Sequence, residues 1–287
     1  MSDLSSITLS HFLVFPEVMR NEALCKRFLE QVLDIKIRKI VFLQKEAAYK
    51  ESRTRHGIRL DVYVEDDADS VYDVEMQNSI ESLKRVRYYQ SGIDRQILKS
   101  GAFYTQLKTS FIIMVCNYDP THVKKDPKDP ASREIPGLAY PMYKRESVMA
   151  CPVGSTVYDD GSHAVFLNTR YDPKYREDMP EVCEFLDLIN EKRDISPEAL
   201  KYPLAQMAAE GITRFRQNEE KREEIMTLAE YLKEQEYKAR EEGKMDGVTI
   251  GREEGREEGE VIGIEKSIQK LMKAQNLTRE EAEKILL

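Results

Sequence analysis

The chain has 287 residues, 41% of them hydrophobic and 33% charged, with a formal net charge of −8. That is apolar material enough for a real core, and the high charge points to a solvated or helical segment. The acidic balance argues against a nucleic-acid partner only if it is spread evenly, and it is not: residues 1–110 carry 17 Lys+Arg against 16 Asp+Glu, the remainder 27 against 36.

Four dispersed cysteines, Cys25, Cys116, Cys151 and Cys183, form no CxxC pair. Neither a zinc ribbon nor a disulfide scaffold is indicated, and reduced, mostly buried thiols are expected. The start MSDLSSITLS lacks a basic and an apolar region, and no apolar run reaches membrane-spanning length, so a cytosolic protein with no membrane partner is expected. No HxH, HExxH or GxxxxGK[ST] spacing occurs, which leaves zinc chemistry and ATP use without support.

In chain order, NEALCKRFLEQVLD (21–34) places Leu24, Phe28, Leu29, Val32 and Leu33 at helical spacing. KIVFL (39–43) reads as a short strand. A hairpin follows, then a helix over 79–100 with Leu83, Val86, Ile93 and Ile97 as its inward stripe. FIIMVC (111–116) is short and apolar enough for a strand buried on both faces. Residues 117–136 read as a loop. Strands are expected around 140–149 and 163–167, with Asp159-Asp160-Gly161 as a turn between them. From Pro180 the chain reads as helical, broken near Pro197 and Pro203. This order describes an α/β core with a helical extension.

The tail differs in kind. Glycines recur at 243, 247, 251, 255, 259 and 263 within KMDGVTIGREEGREEGEVIG. A four-residue step advances about 400° on a helix, so the glycines form a slowly rotating groove that could admit another backbone. A frayed, charged linker is an equal alternative, since each glycine costs a helix ~1 kcal/mol relative to alanine. Thr278-Arg279-Glu280-Glu281 reads as a capping box, and the end as a small helical hairpin.

The stretch LDVYVEDDADSVYDVEMQ (60–77) carries the chemistry. Leu60, Val62 and Val64 alternate with Asp61, Tyr63 and Glu65; Tyr72, Val74 and Met76 alternate with Asp73, Glu75 and Gln77. A turn centred on Ala68 opposes Val62 to Val74 and Asp61 to Glu75. One face is then apolar, and the other gathers Asp61, Asp73, Glu75 and Gln77. Clustered carboxylates repel, and a divalent cation such as Mg²⁺ is their natural compensation. On pattern alone a solvated outer face is the simpler reading. The flanks shift the balance: Lys45, Lys50, Arg53, Arg55, His56 and Arg59 precede the hairpin, and Lys84, Arg85, Arg87, Arg95 and Lys99 follow it. Lys84, Tyr88, Ser91, Arg95 and Lys99 share one helical face. Basic segments with aromatic residues around an acidic cluster suit a phosphate backbone approaching a metal site.

RLDVYVEDDADSVYDVEMQ followed by LKRVRYYQS resembles the recombination-promoting nuclease and putative transposase group of the PD-(D/E)XK nuclease superfamily. The resemblance is densest over 59–118 and extends to about Arg170. It implies a restriction-endonuclease-like α/β core with a central mixed sheet flanked by helices, plus a helical C-terminal extension. It also implies a DNA endonuclease dependent on Mg²⁺, with Mn²⁺ able to substitute, associated with recombination or mobile elements. Carried over, Asp61 and Glu75 are the metal-binding acids. Gln77 stands at the usual lysine position, where it can hydrogen-bond but supplies no positive charge. Arg85 and Tyr89 match a motif on the following helix, with a substrate-side or a structural role, and the expected DNA contacts are Lys84, Arg85, Arg87, Tyr89 and Arg95.

Glu46 and Glu51 are candidates for an additional upstream acid, with Glu22 and Glu30 behind them. Asp73, across from Tyr63 and nearer the turn, is expected to stand apart from the metal. The expected domains are a nuclease-like domain at 1–238 (core about 10–175, helical extension about 176–238) and the tail at 239–287, a candidate homo-oligomerisation element. The competing reading is a catalytically weak DNA-binding module with a self-association tail.

Overall fold

The computed structural model describes residues 7–49, 58–79, 84–123 and 133–221, then 223–225, 227 and parts of 240–286. The chain divides into two compact units, Met1–Glu223 and Glu224–Leu287.

The larger unit opens with two helices, α1 (Val14–Met19) and α2 (Glu22–Leu33). Asn21 caps α2 by accepting from the Leu24 N–H at 3.0 Å, and Asp34 ends it in the left-handed region at φ 56°. The predicted stripe, Leu24, Phe28, Leu29, Val32 and Leu33, is buried. Three strands follow in an antiparallel meander: β1 (Ile40–Tyr49), β2 (Ile58–Asp66) and β3 (Val71–Gln77). β1 is longer than the KIVFL run suggests, because Ala47 and Tyr49 still pair with Leu60 and Ile58. Ladder hydrogen bonds to β2 carry this second half, whose sequence QKEAAY is not apolar.

The β2–β3 turn closes on Asp66. Its Oδ1 accepts from the Ala68 and Ser70 N–H groups, both at 2.9 Å, and Tyr72 donates to its Oδ2 at 2.7 Å. Lys108 ties the same end down through Glu65 (3.1 Å) and Asp69 (2.7 Å).

Helix α3 (Lys84–Ile97) crosses over to β4 (Ser110–Cys116), which runs parallel to β3. Leu83, expected in the helix's inward stripe, lies outside the described residues. Beyond β4 come β5 (Met142–Lys144), β6 (Val148–Cys151), β7 (Gly154–Val157) and β8 (Ser162–Asn168). The six-stranded sheet has the order β1-β2-β3-β4-β8-β5, with β3, β4 and β8 parallel and the other pairings antiparallel. This mixed sheet flanked by helices is the restriction-endonuclease-like α/β core that the resemblance implies.

One element was not foreseen. β6 and β7 form a separate two-stranded ribbon, exposed throughout, with Val153 at its tip 96% exposed. The stretch expected as one strand around 140–149 holds β5 and the start of β6, and the ribbon runs on from there towards the strand expected around 163–167. Gly161, at φ 78°, makes the turn into β8.

The sheet face opposite α3 is closed by helices. α4 (Pro180–Leu188) and α5 (Pro203–Gln217) each begin on a proline, and the break expected near Pro197 and Pro203 falls between them. Phe28 packs against Phe185 with ring centroids 5.3 Å apart, and Arg27 grips Glu181 through two hydrogen bonds of 2.6 and 2.9 Å. At Gly211 a Cβ would meet Val18 at 2.8 Å, so α5 approaches α1 more closely than any larger residue permits. Cys25, Cys116 and Cys183 are buried free thiols, and Cys151 is exposed on the ribbon.

In the smaller unit residues 262–270 are helical and Ile268 is buried. The capping box is present: Thr278 Oγ1 accepts from the Glu281 N–H at 3.4 Å, and Glu281 accepts from the Thr278 N–H at 2.9 Å, at the head of helix Arg279–Leu286. A Cβ added at any of the six periodic glycines meets nothing within 4 Å among the described residues. Among those residues no helix is long and apolar enough to cross a membrane.

Candidate active site

The site begins with register. Val62 pairs with Val74 and Tyr63 with Asp73, so the next step along the ladder sets Asp61 opposite Glu75, as the alternation predicts. Two hydrogen bonds lock the pair: the Asp61 N–H donates to Glu75 Oε1 at 2.9 Å, and the Met76 N–H donates to Asp61 Oδ2 at 3.0 Å. Gln77 Nε2 donates to Glu75 Oε2 at 3.2 Å. The three side chains therefore converge on the end of β3 that leads toward α3.

The acidic face is not a solvated one. Asp73, Glu75 and Gln77 are 0%, 1% and 6% exposed, and every residue of β3 is buried. The cause is topological. β3 is an inner strand with parallel β4 beside it, and the crossover lays α3 over this face. Val86, Tyr89 and Ile93 pack there with Tyr63, Ile112 and Met114. The acids thus sit inside the layer between helix and sheet.

Burial and mutual repulsion dominate the electrostatics. Glu75 is pushed up to about 8, first by desolvation and then by the Asp61 charge, with the Asp61 N–H and Arg85 pulling the other way. Asp73 is raised well above the usual carboxylate range by burial and by the Glu75 and Asp61 charges. Neither oxygen of Asp73 accepts a hydrogen bond from an N–H or hydroxyl group, and its carboxyl lies against that of Glu75. The neighbouring cation is Arg85, whose guanidinium lies 3.8 Å from Glu75 Oε2. Arg85 also donates from Nε to the Tyr89 hydroxyl at 2.8 Å and lies over the Tyr89 ring, 4.9 Å from its centroid.

The structure divides the expected residues into two groups. Asp61, Glu75, Gln77, Arg85 and Tyr89 come together at the buried face. Lys84, Arg87 and Arg95 lie exposed on the outside of α3, with Tyr88 and Ser91 among them. Tyr89, expected among the DNA contacts with a structural role as the alternative, is 6% exposed and turned inward against Arg85, away from the outer face of the helix. The sequence stripe missed it because a tyrosine is ambiguous between core and surface.

The backbone register also sets Glu46 opposite Asp61, since Lys45 pairs with Val62 and Ala47 with Leu60. Glu51, His56 and the basic residues Lys50, Arg53 and Arg55 lie outside the described residues. Glu22 and Glu30 are on α2, away from β3, and Glu30 is engaged by Lys26 at 2.8 Å.

A polar cluster with no sequence signal stands at the carboxyl ends of the parallel strands. Asn117 donates to Asn190 at 2.9 Å, Thr169 donates to Asn117 at 3.1 Å, and the Asn117 N–H donates to the Gln77 carbonyl at 2.8 Å. Asn78, next to Gln77, donates to the Ser10 carbonyl at 2.7 Å. The Asn78–Ser10 and Asn117–Asn190 partners are 68 and 73 residues apart in sequence, so only the fold assembles them.

Residues 13–129 match the family model of the PD-(D/E)XK nuclease family transposases. That stretch is similar to the PD-(D/E)XK nuclease family transposases. It runs from the start of α1 through the hairpin, α3 and β4, and so contains every residue of the buried face. The match supports a nuclease- or transposase-like role. No curated protein and no solved structure matches the chain.

A divalent cation suits this site by its donors. Oxygen ligands from one or two carboxylates, completed by water and phosphate, are what Mg²⁺ takes, and Asp61 and Glu75 offer such a pair. Among the described residues no group of three or more His, Cys, Asp or Glu side chains stands ready-made for a metal ion.

Proposed function

We propose that this protein is a metal-dependent DNA endonuclease that hydrolyses phosphodiester bonds, with Asp61 and Glu75 holding Mg²⁺ or Mn²⁺. The observation that carries the reading is the acid pair on β2 and β3: half-buried Asp61 and buried Glu75 hydrogen-bonded into fixed positions beside Gln77 and Arg85. Carboxylates are costly to bury without compensation, and a sheet interior offers none unless a cation arrives.

A divalent cation, when bound, supplies positive charge to a phosphoryl oxygen and lowers the pKa of bound water. The chain's own residues do the rest. Asp61 and Glu75 are held in place by backbone N–H groups, so little ordering remains to be done when the cation binds. Gln77, neutral, orients a water or a phosphate oxygen by hydrogen bonding. Arg85, steadied by Tyr89, places a fixed positive charge beside Glu75. The exposed face of α3, with Lys84, Arg87 and Arg95, runs out from this point and suits a phosphate backbone. Plasmid DNA tests the reading: nicking in Mg²⁺ and none in EDTA supports it, and EDTA-resistant cleavage rejects it.

The α3 surface gives its own prediction. Lys84→Ala, Arg87→Ala and Arg95→Ala should each weaken DNA binding and lower the slope of log K against log [salt] by about 0.9 for each phosphate no longer neutralised. Fluorescence anisotropy between about 50 and 200 mM salt reads this directly. An unaltered slope in all three variants moves the DNA surface elsewhere.

For the tail we propose a self-association role, supported by its four-residue glycine period and the open space around each glycine. Removing 241–287 should then lower the mass measured by sedimentation equilibrium to that of a single chain, and a full-length protein that is already monomeric rejects that role.

A further inference from the structure

The loop between α3 and β4 carries two large rings that the proposed chemistry leaves unused. Phe103 and Tyr104 are adjacent in sequence and 75% and 84% exposed, and among the described residues the next most exposed aromatic, Tyr158, stands at 44%. The backbone beneath them is braced. As α3 ends, the Leu98 N–H donates to the Asp94 carbonyl at 2.9 Å and the Ala102 N–H to the Lys99 carbonyl at 3.0 Å, and Gly101 turns the chain at φ 86°. The Gln106 N–H then donates to the Phe103 carbonyl at 2.9 Å and the Leu107 N–H to the Tyr104 carbonyl at 3.1 Å, closing a single 3₁₀ turn with both rings at its head. Lys108, tied to Glu65 and Asp69, anchors the far side of the loop.

The surroundings are cationic. Residues 95–109, RQILKSGAFYTQLKT, contain Arg95, Lys99 and Lys108 and no acid. Arg95 and Lys99 are exposed and continue the row begun by Lys84 and Arg87 along the outer side of α3. The helix from Lys84 to Ile97 is about 20 Å long, room for roughly six nucleotides of one strand. A nucleic-acid strand lying there meets both of the groups it needs, cations for its phosphates and flat rings for its bases. In a paired duplex the faces of the bases are covered by their neighbours, and only unpaired bases offer a face to a ring. We infer that Phe103 and Tyr104 are a stacking platform for unpaired bases, so that the DNA held along α3 is a single-stranded stretch. This rests on the proposed DNA-binding role of that helix.

Fluorescence anisotropy of the full chain in Ca²⁺ tests it, with a labelled oligothymidylate beside a fully paired hairpin of equal phosphate number. The parent should favour the oligothymidylate. Phe103→Ala and Tyr104→Ala should each reduce that preference at least about fivefold, the lower end of what one stacked base contributes. The slope of log K against log [salt] should stay the same, because a ring neutralises no phosphate. Tyr104→Phe, which keeps the ring, should keep the preference. The chain has no tryptophan, so Tyr104→Trp supplies a single indole whose emission oligothymidylate should quench by stacking and the hairpin should leave nearly as it was. An unquenched indole, or an undiminished preference in both alanine variants, overturns the platform. So do alanine variants whose only change is a lower sedimentation mass, which makes the patch a contact between chains. Plasmid nicking in Mg²⁺ by the same preparations reports on the nuclease reading separately. A parent that nicks while its alanine variants keep their preference retains the nuclease and loses the platform, and a parent that binds neither DNA overturns both.

Discussion

Glu75→Ala should reduce DNA cleavage by about 10³-fold or more, while the protein stays folded and binds DNA with nearly the parent's affinity. The size follows from charge stabilisation: a bound cation contributes several kcal/mol to the transition state, and each 1.36 kcal/mol is about a factor of ten in rate. The separation of cleavage from binding follows from geometry. Glu75 is buried beneath α3, whereas Lys84, Arg87 and Arg95 are on its exposed side. Removing the carboxylate also relieves repulsion with Asp61 and Asp73, which offsets the cavity it leaves. Initial nicking rates at saturating metal, beside a DNA-binding isotherm in Ca²⁺, make the comparison. A variant that cleaves as fast as the parent places the chemistry elsewhere.

The second large effect is on stability, and its sign is set by the raised carboxylates. Glu75 holds its proton up to about pH 8 in the folded chain but loses it near the ordinary glutamate value of 4.5 when unfolded. The folded state therefore binds more protons between those limits, and stability falls as pH rises through that window. Asp73, raised in the same direction, adds to the fall. In metal-free buffer the decrease between about pH 5 and pH 8 should be on the order of a few kcal/mol, since a tenfold change in a proton-binding constant is worth about 1.36 kcal/mol. Metal should restore what alkali removes, so Mn²⁺ should raise the melting temperature more at about pH 8 than at about pH 5.5. Denaturant unfolding at the two pH values, with and without Mn²⁺, decides the matter. A metal-free chain that is more stable at the higher pH would mean that the acids are compensated by some other group.

Much of this site is legible from the sequence because a hairpin is a local object. The alternation around Ala68 specifies Val62 against Val74, and a slip of one residue would oppose apolar to polar along both strands. Burial of the acidic face is not local. It depends on α3 passing over β3 on its way to a parallel partner, and nothing within residues 60–77 says on which side that crossover runs. For the same reason Tyr89 reads as an outer contact until the helix is docked.

β1 is half-hidden because QKEAAY has no apolar alternation, and its pairing with β2 supplies the order. The β6–β7 ribbon is hidden by its composition. VMAC and GSTV are four residues each and exposed on both faces, so neither periodicity nor burial marks them. The Asn117–Asn190 and Thr169 contacts join the ends of separate elements, and no spacing within any one of them could announce it.

The most direct test is a cleavage assay of the purified full chain on supercoiled plasmid in Mg²⁺, in Mn²⁺ and in EDTA, run beside Asp61→Ala and Glu75→Ala. An Asp61–Glu75 metal site predicts nicking with either cation, none in EDTA, and loss of nicking in both variants. A folded, metal-loaded parent that leaves the plasmid intact, or nicking that survives in either variant, would contradict it.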